Sequence, residues 1–84
     1  NSIRRLRELP RITPIDWKDF AEVLEKAGCR FDRQEGDHRI YKRDDLKRPI
    51  VLPMDDALPV FIIRNNLRTL GLSRDEYFKL LSKH

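Results

Sequence analysis

The sequence is poor in the residues that build covalent cross-links, metal clusters and membrane spans. It contains one cysteine, Cys29, which excludes an internal disulfide and a site with several cysteine ligands. It has no run of about eighteen apolar residues, the length of a membrane span, and no apolar segment typical of a secretion signal. We therefore expect no membrane contact, a reducing cytoplasmic setting, and a Cys29 that acts as a small buried hydrophobe.

Histidine is also scarce, which narrows the choice of a proton-transfer group. The chain has two, His38 and His84, and we expect the terminal His84 to be frayed. Imidazole has an unperturbed pKa of about 6.5, which allows proton transfer in both directions near neutral pH. His38 is therefore the candidate general acid or base, although a turn histidine on a solvated face gives the same sequence pattern.

Basic residues outnumber acidic ones, and the formal net charge is +4. The excess lies in residues 1–11 and 30–48, whereas residues 12–29 are acidic overall. Close to His38 in sequence stand four cations, with Arg30 slightly further away: Arg33, Arg39, Lys42 and Arg43. A histidine among guanidinium groups suits a polyanion whose chemistry is proton transfer, and RNA is the obvious candidate.

The first part of the chain predicts an arm followed by a helix. The chain starts at Asn1 rather than Met, and residues 1–12 have no clear period, so we expect a basic arm or an expression remnant there and a single domain over residues 13–84. Thr13 is the expected helix cap, with Pro14 in the first helical position. Gly28 is expected to end this helix. Apolar residues at spacings of three and four form its inward face: Trp17, Phe20, Ala21, Leu24 and Ala27.

The middle of the chain predicts three antiparallel strands. Residues 29–34 alternate apolar and polar, which is typical of a strand with one buried face. Gly36 suits a two-residue hairpin turn after this strand, and residues 37–43 form the strand that pairs with it. Residues 50–52 form a short apolar strand that Pro53 ends. The pairs Asp44/Asp45 and Asp55/Asp56 suggest a metal site, but the side chains of adjacent residues diverge in an extended chain. We therefore expect these carboxylates to have turn and capping roles, and we expect no metal and no cofactor.

The last third of the chain predicts two helices. Val60, Ile63, Leu67 and Leu70 make the buried stripe of a helix that stops at Gly71. A capping box at Ser73–Glu76 then opens a short terminal helix. The order of elements predicts an α+β domain of two layers, with helices on one face of a three-stranded antiparallel sheet.

Several short pieces, in this order and with compatible spacing, resemble the HicA (YcfA-like) toxin family over residues 9–81. They are Leu9-Pro10-Arg11-Ile12-Thr13-Pro14, Leu24-Glu25-Lys26-Ala27-Gly28, Phe31 with Arg33-Gln34, Gly36-x-His38, Val51-Leu52-Pro53-Met54, Leu67-Arg68-x-Leu70-Gly71-Leu72-Ser73, Glu76 and Phe78. The resemblance implies a double-stranded-RNA-binding-domain-like α-β-β-β-α fold. It also implies an mRNA endonuclease that needs no ribosome and is neutralised by a HicB-type antitoxin.

The family's catalytic histidine belongs to a Gly-Ser-His motif, which places His38 on the catalytic position and Gly36 on the turn glycine. Two positions depart from the family. Asp37 replaces the motif's serine, and Asp55 stands where the family often has a histidine. Both departures add negative charge, which should weaken RNA binding. The residues that we expect to contact RNA are Arg33, Gly36, Asp37, Arg39 and Lys42.

RNA cleavage without a metal needs a base for the 2′-OH, an acid for the 5′ leaving oxygen and cations for the developing charge. With one usable histidine, either water takes part in the second proton transfer or His38 serves both steps. If Glu35-Gly36 is the turn, Arg33 lies opposite His38 and becomes the phosphate clamp, whereas a slip of one residue substitutes Gln34. Arg39, Tyr41 and Arg43 then point to the opposite face.

Three functions remain open from the sequence. The first is a ribonuclease toxin, and the second is an RNA-binding module of the same fold whose chemistry has decayed, which Asp37 favours. The third is a protein-interaction domain, which Phe61 and Ile62 favour because they fall outside the buried stripe. We expect these two residues to anchor a small acidic partner that also covers His38, or to fold back onto Met54 or Leu58. Assembly with itself or with the partner is left open.

Overall fold

The computed structural model describes residues 11–81, which form three helices and three strands. In chain order they are α1 (Trp17–Lys26), β1 (Arg30–Glu35), β2 (His38–Lys42), β3 (Ile50–Pro53), α2 (Val60–Leu70) and α3 (Arg74–Leu81). This order confirms the predicted α-β-β-β-α arrangement with a helical tail. Most of the expected arm (residues 1–10) and His84 lie outside the described residues. No helix within residues 11–81 is long and apolar enough to cross a membrane.

The three strands form an antiparallel sheet in the order β1-β2-β3, so β2 is the central strand. Tyr41 of β2 lies opposite Ile50 of β3, and both are buried in one core with Phe20 of α1 and Ile63 of α2. Because side chains alternate between faces along a strand, His38, Ile40 and Lys42 project from the other face, which we call the open face. The helices therefore cover one face of the sheet, and the α+β two-layer prediction is confirmed.

The start of α1 differs from the prediction. Asp16, not Thr13, is the N-cap, and its carboxylate accepts a hydrogen bond of 2.9 Å from the backbone N–H of Lys18. The preceding segment is held by the loop after β3, because the Leu58 N–H donates to the Ile15 carbonyl at 2.7 Å and the Trp17 N–H donates to Asp55 at 3.0 Å. These tertiary bonds fix the chain outside the helix as far as Asp16, so a helix could not begin at Pro14.

The end of α1 confirms Gly28 as the residue after the C-cap, with a φ of +94°. The N–H groups of Gly28 and Cys29 donate back to the carbonyls of Glu25 and Leu24, as in a Schellman motif. Cys29 itself is free and buried in the core, as expected. Burial raises the pKa of its thiol above the ordinary value.

Arg43 ties the ends of two helices together, a role that the sequence did not reveal. Its Nη1 donates to the carbonyl of Ala27 at 2.7 Å and its Nη2 donates to the carbonyl of Leu70 at 3.2 Å. Both carbonyls lie at helix C-termini, where a cation is favourable because the helix dipole leaves partial negative charge. Its Nε donates to Asp45 at 2.6 Å, and this hydrogen bond lowers the pKa of that carboxyl.

The prediction of one buried face for the first strand is wrong. All six residues of β1 are exposed, and the buried Cys29 precedes the strand. The physical reason is that β1 is an edge strand with an irregularity between Phe31 and Arg33, so it contributes no residue to the core. Phe31 stays 43% exposed and touches Tyr41 edge-on, with 5.8 Å between the ring centroids.

The two C-terminal helices agree with the prediction. α2 covers Val60–Leu70 and stops at Gly71, whose φ is +74°. The capping box of α3 is formed, with the Glu76 N–H donating to Ser73 Oγ at 3.1 Å and the Ser73 N–H donating to Glu76 Oε1 at 2.8 Å. Ile62 is half-buried against the core, whereas Phe61 is 63% exposed, so the two residues take different environments.

Candidate functional site

The hairpin between β1 and β2 turns one residue later than the expected Glu35-Gly36 pair. Glu35 lies directly opposite His38, so Gly36 and Asp37 are the two turn residues. Gly36 has a φ of +61°, whereas Asp37 has no positive φ, which is the pattern of a type II′ turn with glycine in the first central position. The Asp37 carbonyl accepts a hydrogen bond of 2.9 Å from the Met54 N–H, which ties the turn to the chain after β3.

His38 is the first residue of the central strand. It lies between Glu35 of β1 and Pro53 of β3, and its side chain is 46% exposed. Nδ1 of its ring lies 2.9 Å from Oδ1 of Asp37. Within residues 11–81, Nε2 has no hydrogen-bond partner. The imidazole therefore turns Nδ1 toward a carboxylate and leaves its second nitrogen for a ligand.

Glu35 is a site residue that the sequence reasoning missed. It shares the open face with His38, and directly opposed residues in an antiparallel pair have Cβ atoms about 4.5–5.5 Å apart. Only the position of the turn could have revealed this pairing. A carboxylate and an imidazole on one edge are the two kinds of group that acid/base catalysis uses most often.

Arg33 takes a different pairing from the expected one but keeps the expected face. Its partner across the sheet is Ile40 rather than His38, because the turn is displaced by one residue. Its Nε lies 2.6 Å from Glu35 Oε2 and its Nη1 lies 2.6 Å from Asp32 Oδ2. Its guanidinium lowers the pKa of Asp32. A phosphate that binds Arg33 must therefore compete with two carboxylates.

Arg39 lies on the helix side of the sheet, away from His38. The carbon of its guanidinium is 4.3 Å from the ring centroid of Phe31, 5.4 Å from that of Trp17 and 5.7 Å from that of Tyr41. Its Nε is buried and has no hydrogen-bond partner among the described residues. The expectation that Arg39 and Tyr41 point away from His38 is confirmed, and the cation–π contacts make Arg39 part of the packing.

Lys42 shares the open face with His38 but stands at the other end of β2. The two residues are four positions apart, which corresponds to about 13 Å along a strand. Lys42 Nζ lies 3.6 Å from Asp32, and its side chain is 46% exposed. The structure thus brings Arg33, Glu35, Asp37 and His38 together at the hairpin and leaves Lys42 and Arg39 outside that group.

The adjacent carboxylates do not form a metal centre in the part of the chain that the structure describes. Residues 11–81 contain no group of three or more histidine, cysteine or acidic side chains placed to hold a metal ion. Asp44 and Asp45 instead pair with arginines, and Asp55 accepts the first hydrogen bond of α1 through its carbonyl.

Residues 17–72 match the family described as HicA toxin of bacterial toxin-antitoxin. The match covers α1, the whole sheet and α2, so it includes every residue at the hairpin. No curated protein matches the chain.

Proposed function

Since the chain belongs to the HicA toxin family of bacterial toxin–antitoxin systems, we propose that it is a metal-independent endoribonuclease that cleaves mRNA. The observation that carries the proposal is the open edge of the hairpin. There, Nδ1 of His38 contacts Asp37, while Nε2 has no partner within residues 11–81. His38 lies opposite Glu35 and on the same face as Arg33. A HicB-type antitoxin is the proposed inhibitor, since a toxin of this class has an antitoxin partner.

The cleavage step uses two proton transfers. Glu35 takes the proton of the ribose 2′-OH, and the freed oxygen attacks the adjacent phosphorus. The bond from phosphorus to the 5′ oxygen breaks, and the imidazolium of His38 gives its proton to that leaving oxygen. The products are a 2′,3′-cyclic phosphate and a 5′-hydroxyl end. Glu35 has become protonated and His38 neutral, so exchange of protons with water restores the enzyme.

Two neighbours support this chemistry. Asp37 is a positioning residue, because its contact with Nδ1 holds the ring so that Nε2 faces the substrate. Arg33 can stabilise the charge that develops on the phosphorane, since its guanidinium already lies beside Glu35. Two carboxylates near the reacting phosphate also repel it, so we expect a slow enzyme with weak affinity at the hairpin itself.

His38→Ala tests the proposal, and His84→Ala is the matched control because the chain has two histidines. In EDTA, wild type and His84→Ala should cleave RNA at similar rates, whereas the cleavage rate of His38→Ala should be lower by at least about a hundredfold. The thermal midpoint of His38→Ala should stay within a few degrees of wild type, because the side chain is half exposed. Undiminished cleavage by a folded His38→Ala would refute the proposal.

A second function is favoured by the carboxylates of Glu35 and Asp37, which make the hairpin unfavourable for phosphate. In that case the protein is an RNA-binding module without catalysis. Wild type would then bind RNA but not cleave it, and His38→Ala would bind equally well. A protein-interaction domain, which the exposed Phe61 favours, would neither bind nor cleave RNA.

A further inference from the structure

Two adjoining cavities lie at the end of the sheet opposite the hairpin, and the loop between β2 and β3 separates them. One has a volume of about 340 Å³ and includes Arg30, Lys42, Lys47 and Arg48 in its wall. The other has a volume of about 410 Å³ and shares Lys47 and Arg48 with the first, adding Arg68 of α2. We call these five side chains the basic cradle.

The cradle keeps a positive charge although Asp44 and Asp45 also line the two cavities. Lys47, Arg48 and Arg68 are exposed and make no ion pair within residues 11–81. Lys42 is paired only loosely with Asp32, at 3.6 Å. Only Arg30 has a close carboxylate, Asp44 at 2.9 Å, and that pair is exposed to solvent. Such pairs are weak and give way to a stronger anion.

The loop that carries Lys47 and Arg48 is anchored where it begins, which restricts the position of its backbone. Arg43 anchors the start of the loop to the ends of two helices and to Asp45, as described above. The Leu46 N–H donates to the Arg43 carbonyl at 2.9 Å, and Leu46 packs against the core between the two cavities. Lys47 and Arg48 follow directly, and an anchored loop loses less conformational entropy than a free one when its side chains bind an anion.

The hairpin has the opposite character. Next to His38 stand Glu35 and Asp37, and the nearby cation Arg33 already lies 2.6 Å from each of two carboxylates, Glu35 and Asp32. Carboxylates outnumber cations at the hairpin, so we expect a substrate with many phosphates to bind more strongly where cations are in excess. The cradle is exposed and concave, and its five cations outnumber the carboxylates in its walls, Asp44 and Asp45. Its Lys42 lies on the same strand as His38, about 13 Å away.

We propose that the basic cradle binds the phosphodiester backbone of RNA and lays the strand along the open face toward His38. A stacked strand advances about 3.4 Å per phosphate, so about four nucleotides connect the two ends of β2. This inference rests on the proposed ribonuclease function for the direction of the strand, but the binding itself does not depend on cleavage.

The test compares Lys47→Ala/Arg48→Ala with the control Arg74→Ala/Lys79→Ala, which removes the same charge from exposed positions of α3 outside both cavities. The probe is a single-stranded RNA with 2′-O-methyl groups, which cannot be cleaved because no 2′-OH is available to attack. Full-length wild type and both variants are titrated at several KCl concentrations. The basic residues at 1–11 are the same in all three proteins.

Each phosphate contact on a single strand contributes about 0.7 to the slope of log Kobs against log salt. The cradle variant should lose about 1.4 from that slope and on the order of tenfold in affinity at 0.1 M KCl, while the control stays near wild type. With unmodified RNA, the cradle variant should raise KM and leave kcat within a factor of about two.

Equal losses in both variants would overturn the proposal, since total charge rather than the cradle would then govern binding. Unchanged binding by the cradle variant would also overturn the proposal. So would a wild-type cradle that binds an acidic protein but not the RNA probe. Failure of the proposed function is distinguishable. If wild type binds the probe through Lys47 and Arg48 yet never cleaves unmodified RNA, the cradle stands and the nuclease assignment falls.

Discussion

Glu35→Gln separates a catalytic carboxylate from one that only repels RNA. Glu35 has two neighbours that matter, His38 across the hairpin and Arg33 on the same strand at 2.6 Å. If Glu35 is the base for the 2′-OH, the amide cannot accept that proton and kcat should fall between about 10²- and 10⁴-fold. If Glu35 only repels phosphate, the same change should improve binding and raise kcat/KM.

The chain offers a matched control for this experiment. Asp32 is the second carboxylate on Arg33, also at 2.6 Å, and Asp32→Asn removes the same charge from the same guanidinium. Asp32 does not pair with His38, whose partner across the sheet is Glu35, and it has no cross-strand partner in the register. Asp32 also lies 3.6 Å from Lys42, so Asp32→Asn frees that cation as well. RNA affinity should therefore rise by a few-fold in both variants, at least as much in Asp32→Asn, whereas only Glu35→Gln should lose kcat.

The assay is single-turnover cleavage of a short labelled RNA in EDTA, with binding measured in parallel on the 2′-O-methyl RNA. Single-turnover rates isolate the chemical step from product release. Equal kcat values for Glu35→Gln and Asp32→Asn would refute the role of Glu35 as base. The second proton would then pass through water or through His38 itself, the two alternatives that a single histidine leaves.

Two further predictions concern stability and the partner. Gly28→Ala should lower the free energy of unfolding by about 1–2 kcal/mol, because the φ of Gly28 is +94°. The loss should be larger than for Gly71→Ala, whose φ is +74°, since only at Gly28 would the new Cβ meet Arg43, 3.3 Å away. Chemical denaturation measures both losses, and equal losses would contradict the Arg43 contact. Phe61→Ser should weaken capture of the co-expressed antitoxin at least about tenfold, because Phe61 is 63% exposed; full capture by a folded variant would mean that Phe61 is not the anchor.

Local signals predicted the elements whose ends depend on local chemistry. α2 follows from the spacing of Ile63, Leu67 and Leu70, and Gly71 ends it because a left-handed residue there costs glycine little. α3 begins at a capping box whose two hydrogen bonds involve only Ser73 and Glu76. Such contacts span three residues, so the sequence contains all that determines them.

Tertiary contacts decided what the sequence could not. Thr13 and Asp16 are both acceptable caps, and the choice fell to Asp16 because Asp55 and Leu58 bind the chain around it. Gly36 fits either central position of a hairpin turn, as the second residue of type I′ or the first of type II′. Because the turn lies one residue later than predicted, Glu35 rather than Arg33 lies opposite His38. The chemistry of the site therefore depends on the register.

Arg43 shows a third limit of sequence reasoning. In a polar segment beside Asp44 and Asp45 it resembles an RNA-binding cation, yet three of its contacts are to the Ala27 carbonyl, the Leu70 carbonyl and Asp45. Nothing local indicates that an arginine will reach two helix ends. Lys47 and Arg48, which follow it in the loop, are exposed, and they are the loop cations that we propose for RNA binding.

The exposed side of α2 carries both Phe61, the predicted partner contact, and Arg68 of the cradle. Phe61, Arg64 and Arg68 recur at spacings of three and four and are all exposed, so they lie along one side of the helix. Phe61 and Arg68 are seven residues apart, about 10 Å along the helix axis. An acidic antitoxin that is anchored on Phe61 and follows this side of the helix would meet Arg68. If the cradle supplies RNA affinity, an antitoxin that competes for its cations should weaken RNA binding even where it leaves His38 uncovered.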